Sequence, residues 1–155
     1  MSNIRNLKKS GFTIVELLIV IVIIGILAAI TVVAYGGIQD RAKVTKANTD
    51  LAQLSKAIQI ARLSSNKVLL QITGTGCTSC SDLTGSKMVS ALTQIALASN
   101  TNLDGLKSGD PWGNRYSMDE NEGEGGSCAS KDFIGLSTAH AGVSGISVPF
   151  YNCPN

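Results

Sequence analysis

The chain has 155 residues, 44% of them hydrophobic, with 13 Lys and Arg against 11 Asp and Glu for a formal charge of +2. So small an imbalance argues against nucleic-acid binding through a broad basic surface. With one histidine and no phosphate-binding glycine loop, no Ser-His-Asp or Cys-His set is framed, and no enzyme is expected.

Residues 1–11 are polar and basic, carrying Arg5, Lys8 and Lys9 without an acid. Removing them would leave the charges nearly balanced. An apolar run begins at Phe12, and its single charge is Glu16, four residues on. Leu17 to Tyr35 is a stretch without charge, roughly 28 Å of helix, enough to cross a bilayer core. Ile and Val dominate it; they are mediocre helix formers in water but suit lipid, where the backbone must bond internally. A carboxylate at the edge of such a segment is costly unless a cation compensates it.

A secretory signal is cut after its apolar core. Here the basic stretch ends at Gly11, ahead of the core, so Gly11/Phe12 is the bond to suspect. A cut would give Phe12 an α-amine, whose reference pKa of about 8 keeps it largely protonated at neutral pH. Four helical residues rise about 6 Å and return to nearly the same face. A neighbouring helix sliding along the axis would therefore bring its amine to this Glu16. Two plainer readings stay open: an uncut anchor with Lys8 and Lys9 held inside, and a Glu16 that snorkels to the interface.

The segment KKSGFTIVELLIVIVIIGILAAI resembles the class III signal of type IV pilins and related pseudopilins, closely over residues 8–38 and more weakly at DPWGNRY, residues 110–116. The resemblance implies that prepilin peptidase cuts after Gly11 and that Phe12 is then N-methylated. It also implies that Glu16 helps recruit the incoming subunit, and Gly25 matches a mid-anchor glycine. The implied partners are further copies in a helical filament, an inner-membrane assembly platform, and membrane lipid before assembly. The implied location is a single-pass precursor in the cytoplasmic membrane, then a surface filament. Many pilins have a proline where Val33 stands; its absence leaves Gly36-Gly37 to loosen the helix, each glycine costing about 1 kcal/mol against alanine.

From Asp40 the pattern becomes amphipathic: Val44, Ala47, Leu51, Leu54, Ile58 and Ala61 recur at three- and four-residue spacing between charged positions. This predicts a continuation of the helix over residues 36–65 whose apolar stripe packs on a head, residues 66–155. In the head, KVLLQIT (67–73) is a strand candidate. Residues 86–99 read as a helix with Ser86 as cap and Met88, Leu92, Ile95 and Ala96 inward. Arg115–Asp119, Asp132–Ser137 and Gly145–Tyr151 read as a small antiparallel sheet, with Pro149 placing the last strand at an edge. Trp112, the only tryptophan, is expected to anchor the core, and His140 to lie on the surface.

Asp119, Glu120, Asn121, Glu122 and Glu124 crowd one turn before Gly125-Gly126. Hard oxygen ligands in a flexible loop suit Ca²⁺, with Asp119, Asn121, Glu122 and Glu124 as candidate ligands; a solvated acidic turn explains them equally well. No other cofactor is implied. Four cysteines, Cys77, Cys80, Cys128 and Cys153, point to two disulfides in an exported head, with three pairings allowed. The resemblance favours Cys77–Cys80 with Cys128–Cys153, the second stapling the C-terminal loop as pilin heads often do. A Cys₄ zinc site and a redox-active Cys77/Cys80 pair are the rivals.

The expected fold class is α+β: a long N-terminal helix, membrane-spanning then amphipathic, packed on a small antiparallel head. The expected function is a structural prepilin subunit of a type IV pilus-like filament. The runner-up is a pseudopilin of a type II secretion or DNA-uptake system, and the rival of another class is a membrane-anchored binding or redox domain that never polymerises.

Overall fold

A computed structural model describes residues 11–78, 84–123 and 128–153. Among them lie helices α1 (Ile14–Ser65), α2 (Leu69–Thr73), α3 (Ser86–Ser99) and α4 (Asp104–Lys107), and strands β1 (Tyr116–Asp119), β2 (Phe133–Leu136) and β3 (Ile146–Ser147). The chain divides into two compact units, residues 1–40 and 41–155, so the amphipathic part of α1 groups with the head.

In the first unit, the described large apolar side chains from Phe12 to Ile38 are all half exposed or more. A helix apolar on every side has no core of its own to enter; it needs lipid or other helices. It is also the one helix among the described residues that is long and apolar enough to cross a membrane. The backbone stays α-helical through position 33 and through Gly36-Gly37, so the glycine pair does not break the helix. A Cβ at Gly25, Gly36 or Gly37 would meet nothing within 4 Å, so this chain's own packing does not demand those glycines.

In the second unit the expected stripe is the core. Ala47, Leu51, Leu54, Ile58 and Ala61 are fully buried, while Val44, at the stripe's start, is half-buried. Against them pack Met88, Leu92 and Ile95 of α3, with Ala91 buried beside them and Ala96 partly so. The sheet has order β1-β2-β3 and is antiparallel throughout, with Tyr116 opposite Leu136 and Ile134 opposite Ile146. Tyr116 and Met118 of β1 and Ile134 of β2 close the core from the sheet side. Asp50, nearly buried on α1, accepts the Tyr116 hydroxyl at 2.6 Å and Lys46 Nζ at 2.6 and 2.7 Å. Burial and that bond to Asp50 push the Tyr116 phenol well above its usual range.

Four local expectations are corrected. Residues 69–73 are helix, not strand: Val68 is the extended N-cap and Gly74, at φ 65°, ends the helix in the left-handed conformation. A short apolar run bounded by turn residues does not distinguish strand from helix by pattern. Gly85, not Ser86, is the N-cap of α3; its φ is 83°, and a Cβ there would lie 2.4 Å from Arg115 Cδ. The last strand shrinks to Ile146–Ser147, at the sheet edge: Val148 donates to Asp132 O at 2.8 Å, and the chain then leaves the ladder at Pro149, which has no N–H to give. Trp112 is half-buried rather than a core anchor. It stacks flat on His140, ring centroids 4.0 Å apart, and His140 is half-buried in turn.

Candidate assembly site and its surroundings

The suspected cut and the lone acid lie at the start of α1. Gly11, Phe12 and Thr13 precede the helix in non-helical backbone, so the Gly11–Phe12 bond stands outside the regular structure. Phe12 is 85% exposed. A Cβ at Gly11 would meet nothing within 4 Å among the described residues. Residues 1–10, and with them Arg5, Lys8 and Lys9, lie outside the described residues.

Glu16 is not bare. Its Oε2 accepts the Thr13 backbone N–H at 2.8 Å and the Thr13 hydroxyl at 2.7 Å, while the Glu16 N–H donates to Thr13 Oγ1 at 3.3 Å. Thr13 is thus the N-cap of α1 and Glu16 the third residue of its first turn, bonding each other reciprocally. The pattern Thr-x-x-Glu ahead of an apolar run is the sequence signal for this role of Thr13. The position also suits a carboxylate, since the N-terminal end of a helix carries partial positive charge.

The acidic turn is organised around a buried cation that the sequence reading missed. Arg62, at the C-terminal end of α1, is 2% exposed. Its Nη1 donates to Pro149 O at 2.7 Å, and its Nη2 donates to Asp132 Oδ2 and lies 3.5 Å from Glu122 Oε2. Asp132 Oδ1 accepts the Glu122 N–H at 2.7 Å. The Glu122 carboxylate accepts three successive backbone amides: Tyr151 and Asn152 at 2.8 and 2.7 Å, and Cys153 at 3.2 Å. Burial pushes the Asp132 carboxyl up, opposed by its bond from the Glu122 amide and by Arg62. Glu120 is fully buried and accepts the hydroxyls of Thr73 and Thr75, each at 2.7 Å, on one oxygen. Its other oxygen has no hydrogen-bond partner among the described residues, and burial raises its carboxyl above the usual range.

Of the four residues expected to ligate calcium, Asp119, Asn121 and Glu122 lie among the described residues. Glu122 is committed to Arg62 and the C-terminal amides, and Asn121 turns its amide nitrogen to Lys131 O at 3.1 Å. Asp119 is a β1 residue opposite Phe133, and Glu124 lies outside the described residues. Among the described residues no group of three or more His, Cys, Asp or Glu side chains could hold a metal ion. Glu122 and Asp132 close the C-terminal segment over Arg62.

The disulfide Cys128–Cys153 is formed, with its Cα atoms 5.6 Å apart. It staples the C-terminal segment whose amides Glu122 holds. Cys77 is also disulfide-bonded, and Cys80 lies outside the described residues. Asp110 makes the DPWG turn: its Oδ1 accepts the Trp112 and Asn114 amides at 2.9 and 2.8 Å.

The prokaryotic N-terminal methylation motif matches residues 6–32. The type II secretion system core protein G of Escherichia coli (strain K12) is 35% identical over 122 residues, covering 77% of this chain and 77% of that protein. Its counterpart from Aeromonas hydrophila is 32% identical over 111 residues, 72% of this chain and 73% of that one. A type IV major fimbrial protein of Dichelobacter nodosus is 40% identical over 63 residues, covering 41% of this chain and 39% of that protein. No solved structure matched.

Proposed function

The chain belongs to the type IV pilin and pseudopilin family, and from that membership we propose that it is the precursor of a subunit that works by assembly into a helical filament. The observation that carries this is α1. Its first part presents exposed apolar side chains on every side, headed by one acid beside a suspected cut. Before assembly the only medium that suits that surface is lipid. In the filament, helices of other copies replace the lipid and supply cohesion. Prepilin peptidase removes residues 1–11, and the new Phe12 amine pairs with Glu16 of a neighbour, setting the register between subunits. The role is structural, and the precursor is a single-pass protein of the cytoplasmic membrane.

A second reading has its own support. Similarity to two type II secretion core G proteins covers 77% and 72% of the chain, against 41% for a major and 61% for a probable minor fimbrial protein of Dichelobacter nodosus. This favours a pseudopilin, whose filament serves a secretion machine, over a long surface pilus. Both readings predict the same processing. N-terminal mass spectrometry of the membrane-resident and filament-borne protein is the test: a mature chain beginning at Phe12, methylated, is expected. Filaments built of chains that still begin at Met1 would overturn the reading.

A further inference from the structure

We propose that Thr13 is a positioning residue for Glu16: it fixes where the helix starts and holds one oxygen of the carboxylate, leaving the other for the amine of an incoming subunit. The inference rests on the filament reading above and assigns a role to a residue that reading does not use.

Both bonds from Thr13 converge on Glu16 Oε2, the backbone N–H at 2.8 Å and the hydroxyl at 2.7 Å. Oε1 has no hydrogen-bond partner among the described residues. The first four N–H groups of a helix have no intrahelical acceptor, and in lipid each must find one or remain costly. The box supplies acceptors to two N–H groups at this end, those of Thr13 and Glu16. Bonds to an ionised acceptor are shorter and stronger than neutral ones, and they strengthen in a medium of low dielectric. The lone subunit therefore carries a carboxylate that is half satisfied and aimed back toward the chain end. A Glu16 without the cap has three side-chain torsions with which to swing along the helix. Assembly is then an addition to a held group rather than the capture of a mobile one. A cap that begins α1 at Ile14 also keeps Phe12 out of the helix, so the amine created by the cut stands at a fixed height relative to the carboxylate.

Capping and charge can be separated, because a capping box accepts Gln in place of Glu. The experiment compares wild type, Thr13→Ser, Thr13→Val and Glu16→Gln, each as the full chain. Backbone chemical shifts and position-13 amide exchange are read in detergent micelles, and sheared-filament yield is read against membrane-fraction subunit in cells. Thr13→Ser is expected to match wild type in every readout. Thr13→Val is expected to lose helical shifts over residues 14–16, to exchange the position-13 amide roughly fivefold faster, and to give several-fold less filament at normal subunit level. Glu16→Gln is expected to keep the wild-type helix start and yet give no filament. Thr13→Val with an unchanged helix start, or with wild-type filament yield, overturns the inference, as does a Glu16→Gln chain that frays like Thr13→Val. A wild-type chain that makes no filament would instead sink the filament reading, while the micelle measurements still decide whether the cap exists.

Discussion

Arg62 is the residue on which the head's polar interior turns. It follows Ala61, the last position of the apolar stripe of α1, and the two acids that answer it lie 60 and 70 residues further on, at Glu122 and Asp132. Removing one partner of a buried ion pair leaves the others unpaired, at a cost of about 3–5 kcal/mol. Arg62→Met should lose that much stability in denaturant unfolding followed by the fluorescence of Trp112, the single tryptophan. Glu120 gives a pH signature. Burial raises its folded-state carboxyl, and that of Asp132, above the ordinary range. Between the ordinary and the raised values the folded chain holds more protons than the unfolded one. Stability is therefore full below the ordinary carboxylate range, falls as pH rises through that window, and levels off above it. Glu120→Gln keeps an oxygen for Thr73 and Thr75 but cannot ionise, so its Tm should fall less than wild type as pH rises from the ordinary carboxylate range through the raised one. Equal slopes would show that Glu120 does not titrate in that window. The carboxylates were visible in the sequence as a cluster. Their partner was not, because pairing across 60–70 residues leaves no local pattern.

At the level of elements, periodicity served where it was long. Helix α3 begins and ends at Ser86 and Ser99 as its pattern predicted, and five of the six stripe positions of α1 are fully buried. Short segments were less legible. Residues 69–73 are five residues whose apolar run suits either conformation, and α4 has only four residues and no period to read. β3 stops early because the C-terminal segment has another task. Its backbone carries a bond from Arg62, three bonds to Glu122, and the Cys128–Cys153 link. That link closes a loop of 25 residues, and its removal should cost about 2–4 kcal/mol. The double variant Cys128→Ser with Cys153→Ser should show that loss in denaturant unfolding. Hydrogen exchange should show loss of protection at the amides of Tyr151, Asn152 and Cys153. An unchanged midpoint and unchanged exchange would mean that Glu122 alone holds the C-terminus.

Over the whole molecule, one helix carries two unlike surfaces. Residues 41–65 bury their apolar face within the head, whereas the described large apolar side chains from Phe12 to Ile38 are half exposed or more. That division was legible from composition, because the change at Asp40 from an unbroken apolar run to spaced apolar positions is large. Less legible was how Glu16 is kept before assembly, since a carboxylate in an apolar segment reads as a charge awaiting a cation, and its bonds to Thr13 are seen only in three dimensions. The central claim is that Glu16 supplies the register between subunits through the Phe12 amine of a neighbour. Its most direct test is the yield of sheared filaments relative to membrane-fraction subunit for Glu16→Ala. The account predicts a subunit that is made, cut before Phe12 and resident in the membrane, with filaments reduced to a small fraction of wild type. Filament yield equal to wild type at equal subunit level would contradict it.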